Sequence, residues 1–223
     1  MDNTKKSILI VGAGEGLSKG VAKRFAKEGF NISLISRNAN NLKNVQAELT
    51  SQGAEVTFAA ADVSNSAQLD AAIKTLSEEV SGFDVVLYNV AIVKSKDILE
   101  ETADELTHEF AINVSGALQS LQSSYQDLKQ KKGAFLLTGG GLAIHPVAAY
   151  GSLSLGKSGI RSLAYQLHDR LKVDEIYVGL LTVAGIIKPE SKTHSPTVLA
   201  EMFWKLYSDR TELEAYTAEV PLV

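Results

Sequence analysis

The chain of 223 residues contains no cysteine, and this absence excludes three kinds of functional site. A disulfide framework, a thiolate nucleophile and a zinc–thiolate centre all require cysteine side chains. Histidine is also scarce. The four histidines are scattered along the chain, and their spacings match no common metal-binding motif. The sequence therefore predicts a protein without a metal site.

Two further features are missing: an excess of positive charge and a long apolar run. The net charge is −4, so the chain offers no basic field for nucleic acid and no polybasic patch for a membrane surface. The apolar run at residues 8–11 is shorter than that of a signal peptide, and the run at 178–187 is too short to cross a bilayer. We therefore expect a cytoplasmic protein that binds neither nucleic acid nor membranes.

What the chain does contain is a regular alternation of two patterns. Short apolar runs that are typical of buried parallel strands occupy residues 7–11, 31–35, 55–60, 85–88, 134–137 and 176–183. Amphipathic stretches at residues 19–28, 38–51, 66–80, 102–131, 150–172 and 196–207 predict helices, and residues 215–220 have room for one more strand. The alternation predicts one domain over residues 1–223 with a Rossmann-type α/β fold: a doubly wound, mostly parallel sheet of six or seven strands with helices on both faces.

The turn between the first strand and the first helix carries three glycines, Gly12, Gly14 and Gly16, followed by Leu17. Glycine allows a sharp turn and the close approach of a pyrophosphate to the helix N-terminus, where free N–H groups and the helix dipole favour an anion. The sequence therefore predicts a nucleotide-binding βαβ unit. The alternative is a glycine turn that only lets the helix pack closely on the strand.

The end of the second strand indicates which dinucleotide would be bound. A site for NAD places a carboxylate there, whereas a site for NADP needs a group that binds the 2′-phosphate. Residues 35–38 contain no carboxylate, but Arg37 offers planar, charge-assisted hydrogen bonds and Ser36 offers a hydroxyl. This pattern predicts NADP(H) as the cofactor. The alternative is that Arg37 is a solvated side chain at the start of a helix.

Six short motifs follow one another along the chain. They are the glycine turn up to Ser18, Asp62 with Val63, Asn89 with Ala91, Asn113 within Ile-Asn-Val-Ser-Gly, Lys157 with the helix after it, and the segment from Val183 to Ile187. In this order and spacing the chain resembles the short-chain dehydrogenase/reductase family over nearly its whole length. The resemblance implies a cofactor site formed by Gly12, Gly14, Gly16, Leu17, Ser36, Arg37, Asp62, Val63, Asn89, Ala91, Lys157 and Ile187.

The resemblance also implies a catalytic serine after the fifth strand and a tyrosine four residues before the lysine, and this chain matches neither. Leu153 occupies the position four residues before Lys157, and the serine position falls on Gly139 or Gly140. Lys157 and Asn113 remain as catalytic residues. The chain is therefore interpreted as a divergent member that lacks the usual catalytic serine and tyrosine.

Tyr150 is the main candidate for a substitute acid. It lies seven residues before Lys157, so in a continuous helix the two side chains share roughly one face. Its phenol reaches the substrate oxygen only if the first turn of the helix is shifted or unwound, and the alternative is simple packing at the helix start. His145 is a second candidate because histidine titrates near neutral pH. The alternative is that His145 is simply a solvated side chain in a loop.

Three functions stay open at this point. The first is an enzyme, an NADP(H)-dependent oxidoreductase that transfers hydride to or from a carbonyl or alcohol substrate with a non-standard proton donor. The second is a catalytically impaired NADP(H)-binding sensor or regulatory subunit, and the third is a reductase of a C=C bond. The expected partner is a small-molecule substrate. The apolar stripes at residues 102–131 and 150–172 also predict a homodimer or homotetramer that pairs these two helices.

Overall fold

The computed structural model describes residues 5–217, in which strands and helices alternate as the sequence predicts. The strands are β1 (Ser7–Val11), β2 (Asn31–Ser36), β3 (Val56–Ala60), β4 (Val85–Tyr88), β5 (Ala134–Gly140), β6 (Tyr177–Val183) and β7 (Glu214–Tyr216). The α-helices are α1 (Leu17–Lys27), α2 (Ala39–Ser51), α3 (Ser66–Val80), α4 (Ala103–Phe110), α5 (Gly116–Lys131), α6 (Gly151–Leu171) and α7 (Pro196–Asp209).

The strands form one parallel sheet in the order β3-β2-β1-β4-β5-β6-β7, and the prediction of a Rossmann-type α/β fold is confirmed. The chain order reverses at β1, which pairs with β2 on one side and with β4 on the other. Val11 at the end of β1 therefore lies opposite both Ile35 and Tyr88. This reversal leaves a crevice beyond the carboxyl ends of β1 and β4, where sheets of this kind bind their ligands.

Helices cover both faces of the sheet, which explains why its central strands are continuous apolar runs. Helices α1, α2 and α7 pack on one face with Ile8 and Ile10 of β1, whereas α3, α5 and α6 pack on the other with Leu9 and Val11. All four of these side chains are fully buried, and each contributes about 1.5–3 kcal/mol by leaving water. β1 thus joins the two layers and fixes the position of the crevice at its end.

The predicted single helix over residues 102–131 is interrupted. Between α4 and α5, residues Ala111–Ser115 form one turn of π-helix, which we call the π-turn. There the N–H of Gly116 donates to the carbonyl of Ala111, five residues earlier instead of four. An apolar stripe does not reveal such a turn, because the stripe continues on either side of it.

Several other boundaries differ from the predictions by one or more residues, and three of the differences concern the site or the sheet edge. β5 runs on to Gly140 because its pairing with β6 continues in register as far as Gly140 opposite Val183. α6 begins at Gly151, so Tyr150 precedes the helix. β7 covers Glu214–Tyr216 instead of 215–220, and residues 218–220 lie outside the described residues.

Residues 5–217 contain neither a membrane-spanning helix nor a cluster of metal-binding side chains. No helix in this part of the chain has the length and apolar character needed to span a membrane. Within the same residues, no group of three or more histidine, aspartate or glutamate side chains is arranged to hold a metal ion.

Candidate functional site

The glycine turn after β1 borders an open space. Gly12 has φ +91°, and a Cβ atom there would lie 2.5 Å from the carbonyl oxygen of Asn89, so only glycine fits. A Cβ atom at Gly14 or Gly16 would meet nothing within 4 Å. α1 starts directly after this turn at Leu17, and no side-chain hydrogen bond caps it. The turn therefore presents uncapped N–H groups to open space, the arrangement that binds phosphate groups at helix N-termini.

Ser18 stands where the family motif has its third glycine, and it has a definite role in the structure. Its hydroxyl donates to the carbonyl of Gly12 and accepts from the side-chain amide of Asn89, both at 2.7 Å. The serine thus ties the glycine turn to the end of β4. Spacing along the chain gives no signal for this link.

At the outer end of the crevice, β2 ends at Ser36 and is followed by Arg37, whose side chain is exposed. Asp62 lies in the loop after β3 and accepts from the backbone N–H and the hydroxyl of Ser64. These hydrogen bonds lower the pKa of the Asp62 carboxyl, and the charge of Arg37 lowers it further. Val63 beside it is buried in the core. The two residues thus follow neighbouring strands, β2 and β3, and lie close enough for their charges to interact.

Asn113 joins three elements near the middle of the crevice. It is 3% exposed, and its Oδ1 accepts from the backbone N–H of Ile92, in the loop after β4 that also carries Ala91. Its Nδ2 has no hydrogen-bond partner among the described residues and lies against α6, where a Cβ atom on Gly156 would be 2.7 Å away. A buried donor without an acceptor is suited to bind a ligand oxygen or a water molecule.

Lys157 directly follows Gly156, the residue of α6 against which Asn113 packs. Its ammonium group donates to the backbone carbonyl of Thr138 at 2.9 Å, and its aliphatic part lies across Gly140, where a Cβ atom would be 3.2 Å from Cγ and Cδ. Desolvation by the surrounding protein lowers the pKa of this ammonium group from 10.5 to about 8. The Thr138 hydroxyl nearby is buried and has no hydrogen-bond partner within residues 5–217.

The two candidate acids lie in the segment between β5 and α6. Tyr150 is 37% exposed, and its backbone is fixed because its N–H donates to Val147 and its carbonyl accepts from Ser154. Leu153, one turn before Lys157, is only 6% exposed. His145 is partly buried, and its Nε2 lacks a hydrogen-bond partner in the described part of the chain.

The loop after β6 lies beyond the carboxyl end of that strand and carries Ile187, which is 37% exposed. This loop is anchored by residues that the sequence did not single out. Thr217 accepts from the N–H of Ala184 at 3.0 Å, and His194 contacts the same hydroxyl at 2.8 Å. A Cβ atom on Gly185 would lie 2.7 Å from the ring of His194, so glycine is needed there. The ring of His194 therefore packs directly on the loop that carries Ile187.

Comparison with known proteins matches the chain to one family and one fold. The family model described as short chain dehydrogenase matches residues 6–197. A curated relative, diacetyl reductase [(S)-acetoin forming] of Staphylococcus epidermidis, is 31% identical over 223 residues, covering 97% of this chain and 84% of that protein.

Two solved structures share the fold. One is an alcohol dehydrogenase from the archaeon Thermococcus sibiricus, complexed with 5-hydroxy-NADP (TM-score 0.86, 22% identity, 95% of each chain covered). The other is L-sorbose reductase from Gluconobacter frateurii, complexed with NADPH and L-sorbose (TM-score 0.87, 20% identity, 96% of this chain and 94% of that chain covered). Since the family model spans most of the sequence and a relative matches almost all of it, this chain belongs to the short-chain dehydrogenase family.

Proposed function

We propose that this chain is an NADP(H)-dependent oxidoreductase that transfers hydride to or from a carbonyl or alcohol substrate and uses a non-standard proton donor. The observation that carries the proposal is the placement of Lys157 and Asn113. Asn113 packs against Gly156, the residue before Lys157, and the two side chains are held by the loop after β4 and by β5. A protein that recognised only the adenosine end of a dinucleotide would need neither group. The names of the relatives, which are reductases and a dehydrogenase, support the enzyme and give no support to a regulatory role.

The described residues fit NADP(H) along the whole crevice. The open space beside Gly14 and Gly16 accommodates the phosphates, and Arg37 with Ser36 would bind the 2′-phosphate. When bound, the cofactor supplies or accepts the hydride. The residues proposed to hold it are Gly12, Gly14, Gly16, Leu17, Ser36, Arg37, Asp62, Val63, Asn89, Ala91, Lys157 and Ile187.

Lys157 and Asn113 are proposed to act on the reacting end of the site. One N–H of Lys157 is used by the carbonyl of Thr138, and the remaining N–H groups are available for the hydroxyls of the nicotinamide ribose. The unpartnered Nδ2 of Asn113 is available for a water molecule that passes protons along. Both residues would thus orient bound groups without changing their own covalent state.

The proton at the substrate oxygen needs a separate donor. We propose that this chain lacks the usual serine and tyrosine, because Gly140 and Leu153 at those positions carry no acidic hydrogen, and that Tyr150 takes over as the acid. The position of Tyr150 supports this, since it precedes α6 and its backbone is not helical, as an unwound first turn would require.

Replacing Tyr150 by phenylalanine is expected to lower kcat by about 100-fold or more, because general acid catalysis contributes about 10²–10⁴-fold. The affinity for NADPH should be unchanged, since only a hydroxyl is lost. Steady-state kinetics and a binding titration measure the two effects. Tyr165→Phe, farther along α6, is the matched control: it removes another tyrosine hydroxyl, one that donates to Glu214 at 2.8 Å. Unchanged turnover in Tyr150→Phe would eliminate Tyr150 as the acid and make His145→Gln the next variant to measure.

NADPH is expected to bind more tightly than NADH, and Arg37→Ala should narrow the difference by about 10- to 100-fold, the equivalent of one charge-assisted interaction. The affinity for NADH should hardly change, because NADH lacks the 2′-phosphate. Isothermal titration of both cofactors with both proteins measures this. Arg170→Ala, at the far end of α6, is the control. Equal affinity of the unmodified protein for NADPH and NADH would contradict the assignment.

The reaction itself is tested by following NADPH oxidation with a panel of ketones, aldehydes and enones, in which diacetyl is included because a relative is named for it. Oxidation with a carbonyl compound supports the proposal. Oxidation with enones alone favours the C=C reductase. Tight NADPH binding with no oxidation across the panel would indicate the sensor.

We further propose that residues 1–223 form a single cytoplasmic domain that assembles as a homodimer or homotetramer. Phe110, Leu118 and Leu155 on α4, α5 and α6 are large apolar side chains between 38% and 46% exposed. A second copy that paired these helices would cover them. The molar mass in solution by light scattering tests the assembly, and a monomer would contradict it.

A further inference from the structure

Tyr88, the last residue of β4, has no role in the proposed reaction, yet it contacts the π-turn. Its side chain is 1% exposed, and its hydroxyl donates a hydrogen bond to the backbone carbonyl of Ile112. Burial raises the pKa of the Tyr88 phenol, so the hydroxyl keeps its proton and remains a donor.

This hydrogen bond replaces one that the π-turn gives up. In a regular α-helix the N–H of Gly116 would donate to the carbonyl of Ile112, four residues earlier. Here it donates to the carbonyl of Ala111 instead. A buried carbonyl that loses its donor is unfavourable. The Tyr88 hydroxyl supplies the missing donor and so favours the π-turn over a continuous α-helix.

The Tyr88 hydroxyl also explains why residue 116 is a glycine. A Cβ atom added at Gly116 would overlap with the Tyr88 hydroxyl oxygen, whereas the next nearest atoms, Cζ of Tyr88 and Cβ of Val63, would be 3.3 Å away. The hydroxyl alone therefore excludes a side chain at position 116.

Asn113 lies at the centre of the π-turn, so its direction depends on the helical register. Its two contacts, with the N–H of Ile92 and with Gly156, fix it between the loop after β4 and α6. One extra residue in a helical turn rotates the side chains that follow it by about 100° relative to the side chains that precede it. A return to regular α-helix would therefore disrupt this placement.

We propose that Tyr88 is a positioning residue: its hydroxyl stabilises the π-turn and thereby holds Asn113 in place between the loop after β4 and α6. The consequence for catalysis rests on the proposed function, in which Asn113 takes part. The structural claim does not depend on it.

The experiment compares Tyr88→Phe with Tyr125→Phe. Each variant removes one tyrosine hydroxyl, and that of Tyr125, on α5, donates to Asp174 at 2.8 Å, away from the π-turn. We expect Tyr88→Phe to lower kcat by about 10-fold or more, because small displacements of positioned groups reduce rates strongly, with little change in the KM for NADPH. Tyr125→Phe should leave both constants unchanged.

Two readouts do not need turnover. The side-chain amide signal of Asn113 in a ¹⁵N-resolved NMR spectrum, assigned with Asn113→Asp, should move in Tyr88→Phe and stay in Tyr125→Phe. Gly116→Ala should strongly destabilise the unmodified protein and be better tolerated in the Tyr88→Phe background, where the overlapping oxygen is gone.

An unmoved Asn113 signal in Tyr88→Phe, or equal damage by Gly116→Ala in both backgrounds, would overturn the proposal. A moved signal with unchanged kcat would overturn its catalytic part. If the unmodified protein shows no turnover at all, the proposed function fails, while the NMR signal and the Gly116→Ala comparison still decide the role of Tyr88.

Discussion

Lys157→Met is expected to reduce turnover strongly and, at the same time, to stabilise the fold. Methionine retains much of the lysine stem that lies across Gly140, but it has no N–H groups. The contact with the carbonyl of Thr138 and the proposed contact with the nicotinamide ribose are then both lost. We expect turnover to fall by about 100-fold or more, which steady-state kinetics with NADPH measures.

The gain in stability follows from the surroundings of the ammonium group. Desolvation lowers the pKa of Lys157 from 10.5 to about 8, which means that the folded protein disfavours its charged form. At pH 7 the unmodified protein must nevertheless hold that charge, with the carbonyl of Thr138 as its protein acceptor. Removing the charge should raise the free energy of unfolding by about 1–2 kcal/mol.

The same shift predicts how this gain depends on pH. In the unfolded chain Lys157 keeps its proton up to about pH 10.5, whereas in the folded chain it loses the proton above about pH 8. Between these values the unfolded state binds more protons, so the unmodified protein gains stability relative to the variant as the pH rises. The difference between the two proteins should therefore shrink from pH 7 to pH 10.

Urea unfolding of both proteins across this range measures the difference. Lys172→Met removes a surface lysine that pairs with Asp169, and it should show no such pH-dependent gain. A Lys157→Met protein that is less stable than the unmodified one at pH 7, or a gap that does not change with pH, would contradict the account of a desolvated ammonium group.

Leu153→Tyr combined with Gly140→Ser is expected to create or raise carbonyl reductase activity, by about 100-fold with a simple ketone. The double variant supplies the two hydroxyls that the family places around the lysine. Leu153 lies one turn before Lys157 in α6, so a tyrosine there is one turn from the ammonium group. Serine at position 140 is tight, because its Cβ would be 3.2 Å from the lysine stem, and the flexible stem must move by a few tenths of an ångström.

The matched control is Leu153→Phe combined with Gly140→Ser, which adds the same ring without the hydroxyl. NADPH affinity should be similar in both double variants, since neither change touches the glycine turn or Arg37. Activity that rises equally in both would show that the tyrosine hydroxyl is not the cause. Gly140→Ser alone should lower activity, because it displaces Lys157 without supplying an acid.

The fold was predictable because its signals are local. The run from Ser7 to Val11 is apolar at nearly every position, and only a strand covered by helices on both faces requires that. The requirement for glycine at position 12 was also visible, since a sharp turn between a strand and a helix favours that residue. In both cases the residue type and the structural feature that requires it lie within a few positions of each other in the sequence.

The candidate site was less predictable because its contacts join distant parts of the chain. The link from Ser18 to Asn89 spans 71 residues, and the approach of Lys157 to Thr138 spans 19. The family resemblance pointed to Lys157 but did not reveal its desolvation. The π-turn escaped prediction for another reason: a change in helical hydrogen-bonding register leaves the apolar stripe on either side intact.

The central claim is that the site transfers hydride, and deuterium transfer tests it most directly. NADPH carrying deuterium at both C4 positions of the dihydronicotinamide ring, so that either face delivers the label, is incubated with the protein and a carbonyl substrate, and the alcohol product is analysed by mass spectrometry. The account predicts one deuterium on the carbinol carbon, with far less labelled product from Lys157→Met. An unlabelled alcohol, or labelled product formed equally well by Lys157→Met, would contradict it.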